Sequence, residues 1–296
     1  MTQELNTKDN KVVKNFLFNL KENPNLFIGI LMAVILLLCW LVGMAISDQE
    51  MAEPISGPPY APPSSEYVLG TDAQGRQMLP LMVWGVPLTL RMGLIAGSLG
   101  LLVGTILGFA AGYFGGLLDT VIRSLSDVVL TIPALAVLVV VASTISADGL
   151  SVESMAFIIA ALAWMWPTRT IRAQVLSMRE RDYVDVARLS GLNNFEIIVK
   201  ELVPNLLPYL ASSFVGAVAS AILAAIGLEA LGLGPQHEPT LGMTIFWANY
   251  FGAVISGWWW WYAPPIVLLI WLFVTLYLIA AGLDQWANPR LKRVTQ

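Results

Sequence analysis

Leu26 to Ile46 is a run of 21 residues without one charged side chain. At 1.5 Å per residue, a helix of that length crosses a hydrocarbon core of about 30 Å. With no water there, the backbone must satisfy its own hydrogen bonds, which a helix does within one segment. Five more apolar stretches follow, at 87–112, 128–144, 155–168, 206–233 and 264–283. The expectation is an all-α polytopic membrane protein with six transmembrane helices. Composition agrees: mean hydropathy is +0.70 and only 12% of residues are charged, where a soluble domain has about 25%. The first apolar run exceeds the roughly 7–15 residues of a cleaved signal, and no small-residue cleavage site precedes it, so it reads as a retained span.

Several chemistries are excluded early. Cys39 is the single cysteine, so there is no intrachain disulfide. His237 is the single histidine, which rules out the usual multi-histidine metal sites, and no metal site is expected. The chain has no glycine-rich GKS or GKT loop, so it is not expected to bind ATP by a P-loop.

The position of the charges predicts orientation. Of 16 Lys and Arg residues, 14 lie in 1–25, 113–127, 169–205 and 284–296; the others are Arg76 and Arg91. Six spans put both termini on one side, and the positive-inside rule makes that side cytoplasmic. The expected divisions are therefore a cytoplasmic segment 1–25, a first span 26–46, an external segment 47–86, a five-helix core 87–283 and a cytoplasmic tail 284–296.

The external segment carries Pro54, Pro58, Pro59, Pro62 and Pro63, which favour an extended chain. It continues through Gly70, Thr71, Asp72, Gly75 and Arg76, where Thr71 or Asp72 could cap a helix and Gly75 ease a bend. Residues 79–86 look amphipathic. In the second span Gly93 and Gly97 are four apart, as are Gly100, Gly104, Gly108 and Gly112. Such a stripe lets another helix backbone approach closely. Asp119, Arg123 and Asp127 can pair along one helix face. Arg91 and Glu229 lie near the outer ends of their spans; each is either a candidate for a solute path or a snorkelling, paired charge. Trp258 to Trp261 suits an aromatic belt at the outer interface, or rings that meet a passing solute. A short external helix is expected within 242–255.

Residues 179–208 are a charged island. Asp182 is placed to cap a short helix with apolar Tyr183, Val186, Ala187 and Leu189, and Gly191 ends it. Asn193 or Asn194 starts a second helix with Phe195, Ile197, Ile198, Val199 and Leu202, which Pro204 ends or kinks. An amphipathic loop lying on the membrane surface would have a similar composition. Asp185-Val186-Ala187, Gly191, Ile197 and Pro204 resemble the EAA loop of ATP-binding-cassette (ABC) importer permeases, with Asp for Glu and Val for the first Ala. Gly70-Thr71-Asp72, Gly75 and Arg76 are similar to a signature of the C-type subunits in the oligopeptide/dipeptide/nickel permeases. Tyr113-Phe114-Gly115-Gly116, Asp119 and the tail Asn288 to Arg293 resemble the same family.

That resemblance implies a type I importer (MetI-like) permease architecture in the plasma membrane. It implies an island that docks on a cytoplasmic ATPase, through Asp182, Tyr183, Asp185, Val186, Ala187, Gly191, Phe195, Ile197 and Pro204. It further implies a homologous permease subunit, two ATPases that bind ATP and Mg, and an external solute-binding protein. This chain would be no enzyme and hold no cofactor of its own. Peptides are the family's default solute; oligosaccharides and nickel are carried by relatives. The alternative is a stand-alone secondary transporter, but the spans have almost no mid-membrane ionisable groups for a coupling ion. An intramembrane enzyme lacks a nucleophile–base pair.

Overall fold

The computed structural model describes residues 23–145 and 150–287. The polar N-terminal segment to residue 22, residues 146–149 of the acidic loop with Asp148, and the tail from Asn288 lie outside them. Among the described residues the chain is helical: α1 Pro24–Ile46, α2 Met78–Phe114, α3 Gly116–Leu130, α4 Ala134–Ile145, α5 Val152–Ala163, α6 Met165–Arg179, α7 Asp182–Leu189, α8 Asn194–Ile197, α9 Val203–Ala230, α10 Leu241–Tyr250 and α11 Trp259–Ala287. Among the described residues four helices are long and apolar enough to cross a membrane, and α3 with α4 forms a fifth candidate bent by 81°. The bent pair replaces the single span expected over 128–144. Pro133 has no N–H to give and disfavours helix at Ile132, so the helix stops at Leu130 and restarts at Ala134. The apolar α5 runs into α6 with only Trp164 between them.

α2 is the central post. It starts nine residues before the expected Pro87, taking in the stretch read as a separate amphipathic piece. Pro87 lies inside it and leaves the Val83 carbonyl without its helical donor. The Trp40 indole N–H fills that place from α1, donating to Val83 O at 2.9 Å. The glycine stripe faces helices of this same chain. Beside Gly93 and Gly97 lie Ile222 and Val218 of α9; beside Gly100 lies Ala163. Gly104, Gly108 and Gly112 admit Pro167, Ile171 and Val175 of α6. A Cβ at Gly104 would stand 2.6 Å from the Pro167 Cβ and 2.8 Å from the Trp164 carbonyl oxygen.

α1 stands at the edge, clamped to α11. Asn23 caps α1 through Leu26 N–H and donates to Gly282 O at 2.7 Å, while Trp271 donates to Met32 O at 3.2 Å. Ser212 of α9 donates to Asp284 of α11. One apolar cluster joins α2, α4, α5 and α9 around Met92, Met155 and Leu228. A second holds the end of the molecule with residues 47–77 around Met78, Leu241 and Trp261. A third fills the other end.

Candidate coupling hairpin and solute groove

That third cluster belongs to the charged island. α7 and α8 form a helical hairpin whose turn closes on Gly191, with φ of +85°. Leu192 N–H bonds Ala187 O at 3.2 Å and Gly191 N–H bonds Arg188 O at 3.0 Å, the paired bonds of a Schellman stop. Asn193 caps α8 by accepting from Glu196 N–H at 2.9 Å, and Glu196 Oε2 accepts from Asn193 N–H at 3.1 Å. Asp182 caps nothing: it is the first residue of α7, and Arg181 occupies the cap without a side-chain bond. Pro204 does not end the second helix either. It sits in the first turn of α9, where a missing N–H is tolerated. One π-helical turn, Ile198–Leu202, carries α8 into α9 without a gap.

The hairpin has two apolar sides. Val184, Ala187, Ile197 and Leu202 are buried with Phe109 and Tyr113 of α2 and with Ile171 and Val175 of α6. Val186, Leu189 and Phe195 point outward, 60%, 89% and 73% exposed, with Asp182 and Asp185 exposed beside them. The sequence pattern gave Tyr183, Val186, Ala187 and Leu189 as the apolar positions of this helix without assigning them to a face, and did not include Val184. Tyr183 lies at the edge of the cluster, and burial raises its phenol above the ordinary range.

Polar bonds fasten the same junction. The Tyr113 hydroxyl donates to Asn194 Oδ1 at 3.0 Å. Arg179 Nη1 donates to Gly112 O at 2.9 Å, satisfying a terminal carbonyl of α2. Arg172 of α6 holds Asp119 of α3 in a fork, with Nη2 to Oδ2 at 2.7 Å, and Arg169 stands 3.8 Å from Asp127. The acids of α3 thus pair across helices and not with Arg123, because α3 packs its polar face against α6.

At the α3–α4 bend a groove of about 570 Å³ opens between the bend, α5, α6 and α9. Its walls are apolar, with hydroxyls from Thr170, Tyr209, Ser213 and Ser220 and no acidic or basic side chain from Asp, Glu, Lys, Arg or His. Arg91 and Glu229 do not line it. The signal for it was present: Ser213, Gly216, Ala217, Ser220 and Ala224 repeat at helical spacing on α9, a small and hydroxylated stripe in an apolar span.

Arg91 is paired at 2.7 Å with Glu153 in the first turn of α5, both well exposed. Glu229 is fully buried. Its Oε1 accepts from Thr240 Oγ1 at 2.5 Å, and its Oε2 has no hydrogen-bond partner among the described residues. Thr240 caps α10, so Glu229 holds the 231–240 loop against α9.

The Gly70 to Arg76 signature is a buried knot. Asp72 Oδ1 accepts the N–H groups of Gln74 and Arg76, both at 2.9 Å, and Oδ2 meets Arg76 Nε at 2.6 Å. Thr71 Oγ1 accepts from Ala61 N–H and donates to Pro58 O. A Cβ on Gly75 would collide with the Gly57 carbonyl, and φ there is +74°. The proline-rich piece is therefore wound into turns about this knot instead of being extended, and Ile55 and Tyr60 adopt positive φ. Asp72 caps a turn and not a helix. The tryptophan run clamps it: Trp260 donates to Thr71 O at 3.2 Å, Trp258 stacks on Tyr60 at 4.1 Å, Trp261 is buried, and only Trp259 is largely exposed.

Residues 104–293 match the family model described as "Binding-protein-dependent transport system inner membrane component". The dipeptide transport system permease protein DppC of Haemophilus influenzae is 28% identical over 95% of this chain and 96% of its own. The oligopeptide transport system permease protein OppC of Mycobacterium tuberculosis is 30% identical over 62% of this chain and 63% of its own. The inward-facing MetNI methionine ABC transporter aligns with a TM-score of 0.58 at 20% identity, covering 72% of this chain and 97% of the solved one. The fold is therefore that of a type I importer permease, set in the plasma membrane by several spans. This chain belongs to the family of binding-protein-dependent transport system inner membrane components, and it is a permease subunit of an ABC importer.

Proposed function

We propose that the chain passes peptides inward through the α9 groove, driven by ATPases that grip the hairpin from the cytoplasm. One observation carries this reading. The hairpin shares a closed apolar core with the ends of α2 and α6, yet leaves Val186, Leu189 and Phe195 uncovered on its far side. A rigid knob with an uncovered apolar face transmits a push from a partner to the spans behind it. The π-helical turn joins that knob directly to the groove-lining helix.

In this reading the hairpin end is cytoplasmic, in keeping with the 14 of 16 cations that lie in 1–25, 113–127, 169–205 and 284–296, the segments expected on that side. Asp182, Asp185, Val186, Gly191, Phe195 and Pro204 are exposed for docking, with Tyr183 half-buried at the edge, while Ala187 and Ile197 face inward and anchor the hairpin to α2 and α6. ATP and Mg belong to the ATPases, and this chain holds no cofactor. A homologous permease closes the open side of the groove, and an external binding protein delivers solute to the opposite end. The peptide assignment rests on relatives named as dipeptide and oligopeptide permeases.

The test is uptake of radiolabelled peptide by the reconstituted importer with its binding protein, alongside ATP hydrolysis. Phe195→Asp is expected to release the ATPases and abolish uptake while the permease stays in the membrane. Retention of both by that variant overturns the docking assignment.

A further inference from the structure

At the outer ends of α1 and α2, roughly 920 Å³ of space opens beneath the 236–239 loop. It is separate from the α9 groove and differs in chemistry. Its walls carry three indoles, Trp40, Trp84 and Trp247, and two carboxylates, Glu53 and Glu238. Among the described residues neither carboxylate has an ion-pair partner. The permanent cations nearby are spent: Arg76, on the chamber wall, is held by Asp72, and Arg91 by Glu153. Glu53 and Glu238 are therefore unpaired by any permanent cation among the described residues, beside three electron-rich indoles and the exposed His237. Carboxylates and indoles both favour a cation carrying N–H groups. Gln49 and Gln74 add amides that can meet a peptide backbone. The volume matches a pocket for a small solute.

We propose that this chamber receives the ammonium group of the incoming solute, in the first instance the free amino terminus of a peptide. The peptide part rests on the function proposed above; the ammonium part rests on the chamber alone. Glu53 and Glu238 supply the charge and the tryptophans the aromatic walls. The groove beyond, with no charged residue in its lining, takes the solute without a competing charge.

The experiment titrates the assembled importer in lipid nanodiscs, without binding protein, by calorimetry. The probes are trialanine, phenethylamine and their N-acetyl derivatives. Trialanine and phenethylamine are expected to bind on the order of ten-fold more tightly than the acetylated forms, a preference that shrinks at about 0.3 M salt. The double variant Glu53→Gln/Glu238→Gln is expected to erase the preference. Equal binding of acetylated and free amines overturns the proposal, as does a preference that survives in the double variant. Should that variant fail to assemble, the acetylation and salt comparisons on the unaltered importer decide alone. If trialanine is neither bound nor taken up while phenethylamine keeps its carboxylate-dependent preference, the peptide reading falls and the chamber stands. If trialanine is taken up with no ammonium preference at the chamber, the reverse holds.

Discussion

The Tyr113 hydroxyl donates to Asn194 Oδ1 across 3.0 Å, tying the last turn of α2 to the first turn of the hairpin's second helix. The two residues are 81 positions apart, and around their bond lies the apolar cluster of Phe109, Val184 and Ile197. Tyr113→Phe keeps the ring packing and removes one bond worth about 0.5–1.5 kcal/mol. The variant is expected to accumulate normally while peptide taken up per ATP hydrolysed falls a few-fold. An unchanged ratio would show that the bond plays no part in transmission.

Gly191 has open space around it but a φ of +85°, so backbone strain alone decides what it tolerates. Gly191→Val is expected to cost about 1–2 kcal/mol locally and to uncouple uptake from hydrolysis. Gly191→Asn should do much less, because asparagine enters that region readily. Asp185→Lys, at an exposed position on the same hairpin, should act in the direction of the valine variant by reversing charge. ATPase stimulation by loaded binding protein, measured with uptake, ranks the three. Wild-type behaviour of the valine and lysine variants would remove the hairpin from the coupling path.

Gly104→Leu forces a branched side chain against Pro167 and the Trp164 carbonyl, where backbone cannot give way easily. Overpacking of this kind costs about 1–3 kcal/mol. The variant is expected to be poorly accumulated even when expressed without its partner subunit. A deficit seen only in the presence of the partner would place the stripe at the subunit boundary instead.

Gly216 lies on the groove, and nothing stands within 4 Å of a Cβ built there. Gly216→Leu should leave accumulation intact and narrow the groove, lowering uptake of tripeptides more than of dipeptides. Equal uptake of both by the variant would mean that solute passes elsewhere.

Orientation is tested by cysteines at two exposed positions, Ser65 and Asn194, in a variant lacking Cys39. A membrane-impermeant thiol reagent applied outside should label the first and spare the second. Labelling of the Asn194→Cys variant from outside would reverse the topology.

Much of this architecture was legible because membrane spans and glycine turns are local signals. The apolar run from Leu26 to Ile46 needed only its length, and the hairpin needed only Gly191 between two periodic stretches. What escaped depends on partners remote in sequence. Pro87 reads as a helix boundary until Trp40 supplies the donor that Val83 lacks. Asp119 seemed bound for Arg123, four residues away, but the fold brings in Arg172 from 53 residues off. Which face of α7 is buried was not legible because both of its faces carry apolar residues; composition cannot tell Val184 from Val186. The Gly70 to Arg76 signature was recognisable, yet nothing local says that Pro58 and Ala61 supply its partners.

That knot bears on how the chain survives its own synthesis. Residues 47–77 are long, rich in proline and turn-forming, with the outward look of a protease-sensitive linker. Yet Thr71 and Asp72 have no exposed surface and are bonded within this one polypeptide. The bonds of this lobe therefore need no other subunit. On the proposed reading, a permease awaiting assembly would carry a nick-resistant cap at this end while its groove and hairpin stay uncovered.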